Sequence, residues 1–153
     1  MLLVLKNPQA LKEFVGKEIG VTEWFRLTQD RIARFAEATE DRQWIHLDRE
    51  RAVRESPYGG TIAHGFLTLS LIAHFVHEVM RIEGGLRLAV NYGLNRVRFP
   101  AAVPAESRIR ARVGLLACKE MADSVEAIYS VAVEIEGVEK PGCVAEWVVR
   151  YYV

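Results

Sequence analysis

Two short segments of this 153-residue chain carry side chains able to do acid–base chemistry. In the first, Glu40-Asp41-Arg42-Gln43-Trp44-Ile45-His46-Leu47-Asp48, a carboxylate and an imidazole stand five positions apart in a stretch with neither helical nor strand period. In the second, Thr61-Ile62-Ala63-His64-Gly65 opens a long apolar run. An Asp and a His on an irregular loop can grip one water molecule from two sides, orient it, and take its proton as it attacks. The first N–H groups of a helix lack partners within it, so the start of the second segment can supply donors for developing negative charge, aided by the helix dipole. Glycine at 65 would let a substrate approach the main chain without meeting a Cβ. Each half also has a structural reading: a local hydrogen bond or cap for Asp41 and His46, and close packing of helix on sheet for Gly65. Trp44 reads as a plug for its loop.

Other elements must position these groups. Pro8 suits the start of a short helix over 8–15, with Leu11, Phe14 and Val15 on one side, and Gly16 ends it. Residues 21–25 are expected as a strand. Thr28 can cap a helix that aligns Ile32, Phe35, Ala36 and Thr39 and stops near Glu40. Asp48 can cap a further helix through Glu55, and Ser56-Pro57-Tyr58-Gly59-Gly60 breaks it. From His64 to about Met80, Phe66, Leu67, Leu69, Leu71, Ile72, Phe75, Val76 and Val79 point nearly all round, which predicts one long helix enclosed on most sides.

After Gly84 and Gly85 the period changes to two. Ile109, Ala111, Val113, Leu115 and Ala117 alternate with Arg108, Arg110 and Arg112; Val125 to Ile135 and Cys143 to Tyr151 alternate likewise, and residues 86–99 do so more weakly. The arginines of one strand and the glutamates of the next are placed to pair across the sheet. Short turns between the late strands require an antiparallel sheet. An apolar helix roughly 25 Å long, at about 1.5 Å per residue, needs a surface that curves round it. The expectation is therefore an α+β fold, residues 1–153 forming a single domain in which a curved antiparallel β-sheet wraps a central long helix, as in the hotdog fold. An edge of such a sheet stays open, and pairing in a two-fold dimer would cover it.

Composition narrows the function classes. Hydrophobic residues make up 50% and charged residues 26%, as in globular domains. Twenty Lys+Arg balance twenty Asp+Glu, so the basic field that nucleic-acid binding needs is missing and no nucleic acid is expected as partner. Cys118 and Cys143 lack metal or redox spacing and read as reduced packing residues. No export signal is read at the start, and His64, His74, His77 and Glu78 interrupt the apolar run, so no membrane span is expected and the location reads as cytoplasmic. A metal is not expected either: His74 and His77 lie on an apolar helix with no cysteine near, and Asp41 with His46 is an incomplete ligand set.

The run Phe35-Ala36-Glu37-Ala38-Thr39-Glu40-Asp41-Arg42-Gln43-Trp44-Ile45-His46, followed by Thr61-Ile62-Ala63-His64-Gly65-Phe66-Leu67, resembles the MaoC-like (R)-specific enoyl-CoA hydratases. Gln43-Trp44-Ile45-His46 and Asn91-Tyr92-Gly93-Leu94-Asn95-Arg96-Val97-Arg98-Phe99-Pro100 resemble the branch that includes nodulation protein N. The resemblance implies a homodimeric lyase of fatty-acid metabolism that hydrates trans-2-enoyl thioesters or dehydrates (R)-3-hydroxyacyl thioesters. It implies that Asp41 and His46 hold the catalytic water and that the Gly65 N–H receives the thioester oxygen, with Gln43, Ala63 and His64 assigned to substrate binding. CoA or an acyl carrier enters as the thioester substrate and no separate cofactor is implied. Departures from the commoner pattern Asp-x-Asn-Pro-x-His are Gln43 for Asn and Trp44 for Pro, and Glu40 replaces a frequent Gly. Glu40 is expected to point outward. Arg96 and Arg98 read as a solvated face, with the carrier's phosphates as the alternative. Two rivals remain: a hotdog acyl-CoA thioesterase, which would need a carboxylate such as Glu78 on the enclosed helix, and a non-catalytic acyl-thioester binding module.

Overall fold

A computed structural model describes residues 2–153. Strand β1 (Leu3–Leu5) leads into a 3-10 helix (Pro8–Phe14), then β2 (Glu18–Val21) and β3 (Phe25–Arg26). Helices α1 (Gln29–Thr39), α2 (Trp44–Leu47), α3 (Arg49–Glu55), α4 (Gly65–Ser70) and α5 (Ile72–Val79) follow. The chain ends with β4 (Met80–Ile82), β5 (Leu88–Arg98), β6 (Arg108–Glu120), β7 (Ser124–Ile135) and β8 (Cys143–Tyr152). Local chemistry starts the helices where the side chains dictate. The Thr28 hydroxyl accepts from the Arg31 N–H and the Asp48 carboxylate from the Arg51 N–H, each satisfying a first-turn donor.

The main sheet runs β2-β6-β7-β8-β5, with β3 also on β6, and its ladders are antiparallel. Its inner face presents Ile109, Ala111, Val113 and Leu115 of β6, Val125 to Ile135 at alternate positions of β7, and Cys143, Ala145 and Val149 of β8, all buried. Against this face pack Leu67, Ile72, Phe75, Val76 and Val79 of α4 and α5, within one core cluster. This is the α+β hotdog arrangement, a curved sheet wrapped round a central helical segment. On the outer face Arg110 meets Glu134 at 2.7 Å, Arg108 meets Glu136 at 2.9 Å and Arg150 meets Glu126 at 2.9 Å, as the alternation of charges predicts. Cys118 and Cys143 are free, and desolvation pushes the Cys143 thiol up to about 11. None of the described helices is long and apolar enough to cross a membrane.

The structure corrects the sequence reading in several places. The single long helix is two, interrupted at Leu71, where ψ is −12°. The bonds across the junction persist, with the Leu71 N–H on the Leu67 carbonyl at 3.2 Å and the Phe75 N–H on the Leu71 carbonyl at 3.1 Å, while the Ser70 hydroxyl shares the Leu67 carbonyl at 2.8 Å. Nor is the segment enclosed nearly all round: Phe66 is 69% exposed, and Ser70, His74, His77 and Glu78 also face outward. The strand expected at 21–25 is split into β2 and β3 around Thr22, whose hydroxyl accepts from the Ala111 N–H. The aperiodic loop contains α2, a single turn too short to show a period. A parallel pair of β1 with β4 was not foreseen. The weak alternation of β5 has a structural cause: it is the sheet edge, exposed along both faces, with register shifts at 91–93 and 94–96.

Candidate active site

Asp41 stands just beyond α1, which ends at Glu40 in the left-handed region (φ 63°). That residue points outward and pairs with Arg42, which also meets Glu37 at 3.0 Å. The chain then enters α2, where the Gln43 carbonyl accepts the His46 N–H. His46 is buried, at 6% exposure, and its Nδ1 lies 2.7 Å from the Ile62 carbonyl. A carbonyl only accepts, so Nδ1 carries the hydrogen and the Nε2 lone pair is left for the site. Desolvation holds the His46 pKa below the usual imidazole value; the Ile62 bond opposes this, His64 adds to it, and Asp41 opposes it. The lowered pKa favours the uncharged form of the ring.

Residues 61–64 are pinned from three directions. The Ile62 N–H donates to the Ile45 carbonyl at 3.0 Å, the Ala63 N–H to the Val103 carbonyl at 2.8 Å, and the Thr61 hydroxyl to Gln29 Oε1. Gln29 in turn donates from Nε2 to the His46 carbonyl at 2.7 Å. His64, 2% exposed, stacks on His46 with ring centroids 3.8 Å apart and an interplanar angle of 23°. A carboxylate oxygen of Asp41 and ring nitrogens of His46 and His64 lie within 4.8 Å of one another. Asp41 is exposed and forms the mouth of the site. His64 thus joins the pair Asp41 and His46, and two of the four ring nitrogens are already bonded, His46 Nδ1 at the Ile62 carbonyl and His64 Nε2 at the Asp41 carbonyl.

The other expected residues fall as follows. Gly65 opens α4, and an added Cβ there would sit 3.2 Å from ring atoms of Phe99, so the missing side chain is used for close packing on that side. Its amide belongs to the first turn of α4, where the Leu67 N–H already donates to the His64 carbonyl at 3.1 Å and no side chain caps the Gly65 N–H. Ala63 is buried with its N–H spent on Val103, so it offers no free amide to a substrate. Gln43 projects an exposed side chain that caps nothing. His64 is an interior ring rather than a surface contact. Trp44 is half-buried and lies under the Arg51 guanidinium at 4.2 Å, a cation–π contact. Glu78 sits near the far end of α5, half-exposed and 3.0 Å from His74, away from Asp41 and His46. Arg96 and Arg98 are exposed along β5.

Gln29 was not foreseen as a site residue, and Thr61, Phe35 and Phe99, though they stand in the runs that carry the resemblance, were given no role there. Their contacts join positions far apart in the chain, and Gln29 stands in no motif. An apolar groove of about 360 Å³ starts at Phe66, the residue after Gly65, and runs between the helices and β5 along Leu69, Ile72, Ala73, Leu94 and Trp147; Asp41, His46 and Gly65 do not line it. A larger groove, about 610 Å³, lies over Arg112, Gly114 and Ser130 of the sheet and touches none of the site residues.

Residues 11–136 match the family described as MaoC like domain. The chain belongs to that family. It is 48% identical over 137 residues to 3-hydroxyacyl-thioester dehydratase Z of Mycobacterium tuberculosis (strain ATCC 25618 / H37Rv), covering 89% of each chain. It is 44% identical over 135 residues to nodulation protein N of Rhizobium leguminosarum bv. viciae, covering 88% of this chain and 84% of that one. Among solved structures, the (R)-hydratase from A. caviae involved in PHA biosynthesis shares the fold with a TM-score of 0.71 at 23% identity, over 88% of this chain and 94% of that one. In this MaoC-like chain the two sequence motifs that carry the resemblance are the two segments that meet around His46.

Proposed function

We propose that this protein is a hydratase/dehydratase, a lyase that adds water across the double bond of a trans-2-enoyl thioester or removes it from an (R)-3-hydroxyacyl thioester. The observation that carries the reading is the meeting of the Asp41 carboxylate with a His46 imidazole whose Nδ1–H is committed to Ile62 and whose Nε2 is free to act as a base. Asp41 accepts one hydrogen of a water molecule while His46 Nε2 takes the other, and the water oxygen bonds to Cβ. The displaced electron pair moves to the thioester oxygen, which the Gly65 N–H receives as an enolate-like oxyanion, worth about 3–4 kcal/mol by comparison with other oxyanion donors. The proton held by His46 then passes to Cα, and the 3-hydroxyacyl thioester leaves. Elimination is the same path reversed. These steps run on side chains and one amide, with the CoA or acyl-carrier thioester as substrate and neither metal nor separate cofactor.

The apolar groove that starts at Phe66 suits the acyl chain. The free β5 edge, with Leu88, Val90, Tyr92 and Leu94 exposed, supports a homodimer in which two such edges pair. We read residues 1–153 as one catalytic domain, and two free thiols support a reducing, cytoplasmic setting. The test is loss of enoyl absorbance when purified protein meets crotonyl-CoA and longer enoyl-CoAs. Asp41→Asn, His46→Gln and His46→Asn should each lower the rate by about 10²–10⁴-fold, the range of positioned acid–base groups, without unfolding the protein. Full activity in these variants would end the assignment. Light scattering at 17.3 kDa would end the dimer.

A further inference from the structure

We propose that His64 is a positioning residue of this site: it holds the main chain of Asp41 with its Nε2–H and fixes the plane of the His46 ring by stacking on it. The inference rests on the hydratase/dehydratase reading for its kinetic consequence, though not for its geometry. His64 Nε2 lies 2.9 Å from the Asp41 carbonyl oxygen, so Nε2 carries the hydrogen and donates. Asp41 lies outside every helix and strand, one residue after the left-handed turn at Glu40, where the chain has no ladder to set its course. A side-chain donor from another segment therefore does for Asp41 what secondary structure does elsewhere. The ring itself is clamped, with His46 stacked at 3.8 Å and Phe35 tilted at 4.9 Å.

The alternative is that His64 merely fills space, and the buried polar atoms weigh against it. His64 Nδ1 is buried with no hydrogen-bond partner, a desolvation cost that a phenyl ring in the same slot between Phe35 and His46 would avoid. The interior tolerates that unpaired nitrogen in return for the Nε2–H bond to Asp41. Position matters at this scale because a misplacement of about 1 Å in a catalytic group costs about a hundredfold in rate.

Three variants and one spectrum test the proposal. His64→Gln brings an amide donor to the position of Nε2; His64→Asn places it nearer Nδ1; His64→Phe keeps the ring and deletes the donor. Crotonyl-CoA hydration by His64→Phe should lose about a hundredfold in kcat with little change in KM, at a melting temperature no lower than that of the unaltered protein. Asn should follow Phe, and Gln should recover most of the rate. Equal rates for Phe and the unaltered protein, or losses in all three that merely track melting temperature, would overturn the positioning role. Ring ¹⁵N NMR of the unaltered protein should show His64 protonated at Nε2 and His46 at Nδ1. The opposite tautomer at His64 would overturn the proposal whatever the kinetics. If the unaltered protein hydrates no enoyl-CoA, the functional reading falls, and the tautomer measurement still decides whether His64 holds Asp41.

Discussion

Gln29 should govern both the stability of the site and its activity, although it touches no reacting atom. Its amide makes one bond with each end, donating from Nε2 to the His46 carbonyl at 2.7 Å and accepting the Thr61 hydroxyl at Oε1. Gln29→Ala removes both. Each such bond contributes about 0.5–1.5 kcal/mol net, and Thr61 is buried at 8% exposure, so the loss is about 2 kcal/mol with partial rescue by water. In a chain of this size that corresponds to a drop of about 4–8 °C in melting temperature. Thr61→Val deletes only the shared bond and should cost about 1 kcal/mol. Because the two changes remove one bond in common, the double variant should cost about 1 kcal/mol less than the sum. Calorimetry of the four proteins measures this cycle, and hydration of crotonyl-CoA by the still-folded variants measures the effect on His46. An unchanged melting temperature and unchanged kcat in Gln29→Ala, or strict additivity in the cycle, would refute the bracing role.

Two further outcomes follow from single residues. Desolvation depresses the His46 pKa in the folded chain, so the folded state binds fewer protons than the unfolded state as the pH falls below about 6.5. The stability this group contributes is fully present above about pH 6.5 and is lost as the pH falls through the lower folded value; melting temperatures taken downward from pH 8 should show the decline, and His46→Asn should flatten it. Glu40 occupies left-handed backbone at φ 63°, so Glu40→Gly should be more stable than Glu40→Ala by about 1 kcal/mol in urea unfolding, both having lost the same contact with Arg42.

The late strands were legible because burial on one face imposes a period of two, and Ile109 to Leu115, Val125 to Ile135 and Cys143 to Tyr151 obey it. β5 was less so because an edge strand with both faces exposed has no inner set to mark. The helix break at Leu71 leaves no mark in the sequence because the apolar pattern continues through it; what changes is a local rotation of the backbone, to ψ −12° at that residue. In the site, residue type and spacing pointed to Asp41, His46 and Gly65. Which nitrogen of each histidine is occupied depends on carbonyls 16 and 23 positions away, which no local pattern encodes. The fold also shows why Gly would suit position 40: that residue closes α1 in a left-handed turn, which Glu40 adopts despite its Cβ.

Those two carbonyls explain why motifs separated along the chain form one unit. His46 of the first segment donates to Ile62 of the second, and His64 of the second donates to Asp41 of the first. The Ile62 N–H closes the exchange on Ile45. Each histidine thus spends one nitrogen on the other segment's backbone, and the bonds are reciprocal rather than one segment resting on the other. A loop braced in this way needs no regular structure to hold Asp41, whose side chain stays exposed while the two imidazoles beside it are buried. The same exchange ties the tautomer of His46 to the docking of the two segments: only when Ile62 is in place is Nδ1 occupied and Nε2 free for water. Tautomer and loop closure are therefore coupled, and on the proposed mechanism a substitution that loosens the clasp should impair proton transfer before it unfolds the sheet.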